Sequence, residues 1–355
     1  MEKSHASAIG KKSQEIARYA LPIGWHTALY HTVSGLTLLR YWRACRLGDS
    51  PAEQEIVARQ MIEALLRHDP GFESLPTEPL PPAPAPLSES ANSAAARREF
   101  VAEFDASMEG HVSKLIDWSE RAEALLAESV REILCASPAS LSDDQAIALA
   151  LDPACNPLLG DSLNLATLDK ATRALAHPRY IFRKKLSHSA DSQDQRHRMT
   201  PGSRPYLAPS LRGGPDYIVP ALILEDSAIE RLYRQAVESA WEAIERLLDR
   251  GTSPEHALYL LPNAVAIRFT ESADLMSLRH KHAMRLCYNA QEEIWRASLD
   301  EARQIQAIHP RIGAWLLPPC GQRLAAGAKP ICPEGSRFCG VRVWTMKLED
   351  YKRLI

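Results

Sequence analysis

The sequence predicts an α/β protein of the α+β type, a sheet carrying long helices and helix-rich overall. Two observations lead there. Residues 226–249 place Ile229, Leu232, Tyr233, Ala236, Val237, Ala240, Ile244 and Leu247 on one helical face, and Gly251 stands where such a helix stops. Beside it, "KLIDW" (114–118) and "RYIFRKKLSH" (179–188) carry the β-branched and aromatic residues of strands, the second with imperfect alternation.

Each further element follows from local pattern. "SGLTLLRYWRACRL" and "AEQEIVARQMIEALLRH" place apolar residues at helical spacing, so residues 15–70 read as helical. Residues 73–98 hold six prolines and almost no large apolar side chain, which reads as a semi-rigid linker. After the strand at 114–118, Ala122, Leu125, Leu126 and Val130 mark a helix face. Ser253 and Pro254 are the N-cap and first residue of a helix in "SPEHALYLL". A long helix is expected over 272–307.

The bulk numbers exclude several classes. The chain has 355 residues, 45% hydrophobic and 24% charged, with net charge −2. That composition suits sizeable cores and argues against a general nucleic-acid binder. No apolar run approaches membrane-span length and the N-terminal stretch lacks a signal-like apolar core, so a cytoplasmic protein without membrane contact is expected. Seven cysteines in a chain of this length do not make a disulfide scaffold.

An internal repeat organises the chain. "ARYALP" (17–22) precedes "ALYLLP" (257–262) by 240 residues; "AEQEI" (52–56) and "AQEEI" (290–294) follow in the same order, then "DPGF" (69–72) and "HPRI" (309–312). The expected division is a partial helical copy at 1–72, the linker 73–98, a main unit at 99–318 and a Cys-containing tail at 319–355.

The most pointed stretch is "QDQRHRMTPGSRPYL" (193–207). Guanidinium forks bind phosphate oxygens bidentately and stay charged when partly desolvated. In an extended segment Arg196 and Arg198 would share one face, with His197 on the other. A solvated basic loop is the competing reading, since Arg183, Lys184 and Lys185 are near in sequence. The helix bearing Arg279, His280, Lys281, His282 and Arg285 could focus positive potential on an anion, although exposure is expected for all but Arg285.

In order, Q-x-x-R-H-R, Ser-Arg, "YIVP", "LP" and R-x-x-x-x-A-Q-x-E-I resemble flavin-dependent thymidylate synthases. The resemblance covers roughly residues 112–318, with 15–70 as a partial second copy. It implies that Gln193, Arg196, His197, Arg198 and His177 hold FAD. It implies that Ser203, Arg204 and Arg285 bind a uridine nucleotide such as dUMP. It also implies methylenetetrahydrofolate and NADPH as co-substrates, and homo-oligomers whose sites are shared between chains. The cofactor carries the hard step in that chemistry, so no protein nucleophile is expected. Two departures stand out. The loop after Arg198 is shorter than the family pattern and lacks its Asn-Glu pair, and the Arg preceding "LP" is Leu258, whereas the first copy carries Arg18. A non-catalytic flavin- or nucleotide-binding relative, or an assembly partner, is the rival reading.

Beyond that resemblance, His309, Cys320, Cys332 and Cys339 form a soft-ligand set suited to tetrahedral zinc. Ordinary buried thiols are the plainer reading, and an iron–sulfur cluster with Cys287 as fourth thiolate is a further one.

Overall fold

The computed structural model describes residues 2–47, 50–75, 78–81, 93–161 and 163–353. Helices α1 (Glu2–Ala17), α2 (Gly35–Ala44) and α3 (Ala52–His68) come first, followed by α4 (Ala94–Ser107). Strand β1 (Ser113–Trp118) leads into α5 (Ala122–Leu134) and α6 (Asp143–Leu151), then β2 (Arg179–Ser187) into α7 (His188–Asp194). Next come α8 (Ala221–Leu224), α9 (Ser227–Asp249), α10 (Pro254–Leu258) and β3 (Ala266–Asp274). Helices α11 (Leu275–Arg285), α12 (Glu292–Ile308), α13 (Pro310–Gly313) and α14 (Pro319–Ala325) close the chain.

The helix-rich α+β architecture expected from the pattern is present. Ser253 caps α10, and Gly251 sits just beyond α9 at φ +84, in the left-handed region. Two expectations are corrected. The helix foreseen over 272–307 is a strand end and two helices: Asp274 stops β3 and caps α11 by accepting from Ser277 N–H, and Gln291 caps α12. The Trp295 indole, donating to the Leu286 carbonyl at 3.2 Å, holds the break between them. The foreseen linker ends early, because Ser93 caps α4 and residues 94–98 are helical; residues 82–92 lie outside the described residues.

The described sheet is antiparallel, in the order β1-β2-β3. β2 and β3 pair from Arg179↔Asp274 to Ser187↔Ala266, and β1 pairs from Ser113↔Lys184 with a bulge between Leu115 and Asp117. Both sheet edges are covered. Along β1, α12 supplies Asp300 and Gln304, which accept from the Val112 and Leu115 N–H groups. Along β3, the Ser203 N–H donates to Thr270 O and the Ser272 N–H to Pro201 O. An unpaired edge is a template for unwanted pairing, so this coverage matters.

On the inward face, alternate residues do not feed one continuous core. Tyr180, Phe182 and Ala273 join an apolar cluster with α5, α6 and the C-terminal half of α12. Leu186, Ile267 and Phe269 join a second cluster with α9, α10 and Tyr19. Lys184 and Glu271 occupy the inward positions between the two. On the outward face α4 lies over cations: Asp105 pairs with Arg268 at 2.8 Å and Lys185 at 2.7 Å, and Arg183 stacks over Phe104.

The N-terminal segment has its own small apolar cluster of Leu38, Leu39, Trp42, Ala58 and Ile62. It also docks on the main unit. Pro22 bridges Pro262 antiparallel, flanked by hydrogen bonds from Ile23 N to Leu261 O and from Asn263 N to Leu21 O. Gly24 is required there, because a Cβ would stand 2.7 Å from the Tyr259 ring and 2.8 Å from its carbonyl. Tyr19 donates to Glu293 at 2.6 Å, near the start of α12; Tyr259 donates to Glu53 at 2.6 Å, near the start of α3.

Tyr19→Phe is expected to destabilise the protein by about 1–3 kcal/mol, because the part-buried Glu293 carboxylate loses a donor. Tyr259→Phe, at an exposed pair, should cost roughly 1 kcal/mol or less. Urea melts of the two variants check the difference.

Candidate functional site

The site begins with the seam. Lys184, Asp194, Glu271, Lys281, His282 and Glu301 are all essentially inaccessible to solvent. The Lys184 ammonium lies 3.0 Å from Asp194 and 2.9 Å from Glu301, and 3.4 Å from Glu271. Lys281 pairs with Glu271 and stands 3.1 Å from Asp194. His282 Nε2 is 2.9 Å from Glu301, which also accepts from the Ser113 hydroxyl. Three carboxylates thus face two ammonium groups. Burial raises the Glu271 carboxyl to about 7, while the two lysines hold Asp194 and Glu301 low against the same burial. One network ties β1, β2, α7, β3, α11 and α12 together.

Asp194 ends α7, and the Arg-His-Arg segment follows it. The segment is a turn rather than an extended strand: Arg196 N–H donates to Gln193 O, and His197 N–H to Asp194 O. The alternation expected for Arg196, His197 and Arg198 is therefore corrected, since tight backbone bonds leave no two-residue repeat. The Arg285 guanidinium, at the end of α11, donates from Nε to His197 Nε2 at 2.8 Å and from Nη2 to Gln193 O at 3.1 Å. Accepting at Nε2 puts the proton of a neutral ring on Nδ1. Burial, then Arg285 and Lys281, depress the His197 pKa to about 4. Burial also lowers Arg285, with the nearby Arg196 adding to it. Arg196 and Arg198 are exposed and, among the described residues, neither side chain forms a hydrogen bond or ion pair.

Residues 201–204 run along β3. Gly202 is needed because a Cβ would meet the Phe269 ring at 3.0 Å and the Arg204 guanidinium at 2.8 Å. The Ser203 hydroxyl donates to Thr270 O. Arg204 stacks over Phe269 and donates from Nε to both Asp191 oxygens, at 2.8 and 2.9 Å. Its Nη2 is buried without a hydrogen-bond partner, 3.8 Å from Asp194.

The structure thus brings Gln193, His197 and Arg285 together, with Arg196 close by, and sets Arg204 against the same network through Asp194. His177 is exposed in the turn before β2, and Arg18 is exposed beside Tyr19; neither side chain bonds to this group. The exposure expected for the α11 cations is corrected: Arg279, Lys281 and His282 are buried, with Arg279 donating to Gln322 and the Leu159 carbonyl. The metal set is corrected at His309. That ring is buried, with Nδ1 3.1 Å from the Tyr180 hydroxyl and Nε2 3.2 Å from Glu120 O, so both nitrogens are committed away from the cysteines. Sequence reasoning missed Asp191, Asp194, Glu271 and Glu301 altogether.

The model of the thymidylate synthase complementing protein family matches residues 114–311, more than half of the 355. The chain belongs to that family. A flavin-dependent thymidylate synthase of Geobacter sulfurreducens is 28% identical over 173 residues, 48% of this chain and 68% of the relative. Enzymes with the same name from Sulfurisphaera tokodaii and Saccharolobus solfataricus are 32% and 29% identical, over 26% and 41% of this chain. Those matches span 34% and 56% of the two archaeal relatives, so the chain covers well under two thirds of either. Among the described residues no helix is long and apolar enough to cross a membrane.

The family implies a flavin, and the donor set here fits one: among the described residues Arg196, Arg198 and Arg285 have no carboxylate within ion-pair distance, and the buried Nη2 of Arg204 has an unfilled donor position.

Two outcomes are expected. Lys184→Met should destabilise by about 3–5 kcal/mol, because it strands buried carboxylates. Arg183→Met, on the outward face next door, should cost no more than about 1 kcal/mol; denaturant melts compare them. His197 has a folded pKa below its ordinary value of 6.5, so its stabilising contribution is present above pH 6.5 and is lost as pH falls towards about 4. Histidine-resolved NMR titration should show that midpoint, and His197→Gln should flatten stability over that window.

Proposed function

We propose that this protein is a flavin-dependent transferase that places a one-carbon unit on a uridine nucleotide such as dUMP. Methylenetetrahydrofolate is the carbon source and NADPH the reductant. The observation that carries this reading is the unpaired Arg196 and Arg198 beside the Arg285–His197 hydrogen bond. Arg196, Arg198 and Arg285 would hold the phosphates of FAD. Bound and reduced, the flavin supplies the reducing equivalents that turn a transferred methylene into a methyl group.

The remaining work belongs to side chains of this chain. Neutral His197 fixes the Arg285 guanidinium in one orientation and presents its Nδ1–H. Arg204, oriented by Asp191 and the Phe269 ring, offers its free Nη2 to a nucleotide phosphate. Ser203 keeps its hydroxyl at the same rim. No nucleophile is required.

A second reading, a non-catalytic flavin or nucleotide binder, is favoured by one specific contact. Asp191 already occupies Arg204 through a forked pair, and that carboxylate would repel a phosphate. We further propose that residues 1–72 are a partial internal copy of the main unit, serving as its built-in mate. Positions 22 and 262, 240 apart in sequence, pair directly, and Tyr19 and Tyr259 reach across reciprocally. Residues i and j trading contacts across an axis is the mark of two-fold pairing. Shared sites in a larger homo-oligomer belong to the same proposal.

Purified protein should be yellow and its flavin absorbance should bleach with NADPH. Tritium should then be released from C5-labelled deoxyuridylate when the folate is present, and Arg204→Ala should abolish that release while leaving the colour. Bleaching without release in the wild-type protein selects the binding role, and colourless protein that takes up no FAD refutes both readings.

A further inference from the structure

We propose that Cys287, Cys320, Cys332 and Cys339 bind one zinc ion as a four-thiolate site that staples the C-terminal tail to the end of α11. Four thiols from three separate parts of the chain line a single cavity of about 20 Å³. Cys287 comes from the break between α11 and α12, Cys320 from the first turn of α14, and Cys332 and Cys339 from the two sides of a 3-10 turn at Gly335–Arg337. None is in a disulfide.

Gly335 (φ +56) and Gly340 (φ +83) take the left-handed conformations that let the backbone turn tightly around Cys332 and Cys339. The Asn289 side chain donates to Arg337 O at 2.6 Å and the Tyr288 hydroxyl to Lys352 O at 3.2 Å, so the tail already lies against the α11–α12 break. Among the described residues, no group of three or more His, Cys, Asp or Glu is placed so that it could hold a metal ion as it stands. The thiols line the cavity without converging, and a cation would draw them in as they lose their protons.

The space of about 20 Å³ between the thiols admits about one water-sized sphere, enough for a single ion. Zinc with four cysteines is the closed, structural form of such a site. Its place in the fold gives it a consequence, since Cys287 lies two residues after Arg285. The proposal stands apart from the flavin reading, because its readout is metal content.

The test uses the full chain purified under reducing conditions. Elemental analysis should give one zinc per chain, with Cys332→Ser and Cys339→Ser losing it and Cys155→Ser, at an exposed site elsewhere, keeping it. Chelator-stripped wild-type protein titrated with cobalt should develop the thiolate-to-metal and tetrahedral ligand-field bands of a four-sulfur site, saturating at one cobalt per chain. That arm does not depend on whether the variants fold. Wild-type protein free of stoichiometric metal that gives no such spectrum overturns the proposal. So does iron with acid-labile sulfide, or metal retained in folded Cys332→Ser.

Discussion

Everything in the candidate site hangs from the two lysines and three carboxylates buried between the apolar clusters. A charge taken out of water costs several kcal/mol unless its partners are placed well. Lys184 and Lys281 meet that condition only while β2, β3, α7, α11 and α12 keep their relative positions. The network therefore acts as a geometric constraint more than as a source of net stability. Asp194 and Lys281 belong to it, and Gln193, His197 and Arg285 lie within a helical turn of them in sequence. The free cations at the surface inherit their placement from the paired ones below.

Much of the frame was legible in the sequence. The span and end of α9, the cap of α10, and the strands at 113–118 and 179–187 follow from periodicity and from a few stop signals, but the α9 face is only partly as expected: Tyr233, Val237 and Ile244 are buried with Trp241, while Ile229 and Leu232 stay exposed. The buried network was not read, yet its trace was visible. Tyr180, Phe182, Lys184 and Leu186 alternate in phase along β2, and the imperfection in that alternation is Lys184. Glu271 breaks the phase of Ile267, Phe269 and Ala273 in the same way on β3. A single ionisable residue on an apolar face marks a buried partner, but neither strand says which residue supplies it. β3 itself was hidden because "AIRFTESAD" runs straight into a helix, with Asp274 both ending the strand and capping α11.

The α11 cations teach a related lesson. Leu278, Lys281, His282 and Arg285 share one helical face, so two ionisable groups, Lys281 and His282, follow an apolar residue into the interior while Arg285 at the end of the helix stays half-buried. Composition alone makes such a run look solvated. The backbone at 196–198 differs from the extended segment expected: the end of α7 imposes a turn, and Gln193 contributes its carbonyl to Arg285. The metal-ligand set suffered from spacing. His309 sits nearest the tail cysteines in the sequence pattern, while Cys287 reaches them through the helix break.

The departures from the family pattern now have physical content. Pro201 and Gly202 carry the shortened loop directly onto the β3 edge, where a side chain at 202 would crowd the Phe269 ring and displace the Arg204 guanidinium. Arg204 is thereby turned towards Asp191 and Asp194. Arg204 is thus engaged by the protein's own acids, whereas Arg196 and Arg198 stand clear of them.

The central claim is that these unpaired guanidinium groups grip the phosphates of a flavin nucleotide. Fluorescence titration of flavin-free protein with FAD and, separately, with riboflavin tests it most directly, because the two share the isoalloxazine ring and differ in the phosphates and adenylate. The account predicts saturable FAD binding that weakens as salt rises, and no riboflavin binding over the same concentration range. Equal affinity for the two, insensitive to salt, would contradict it.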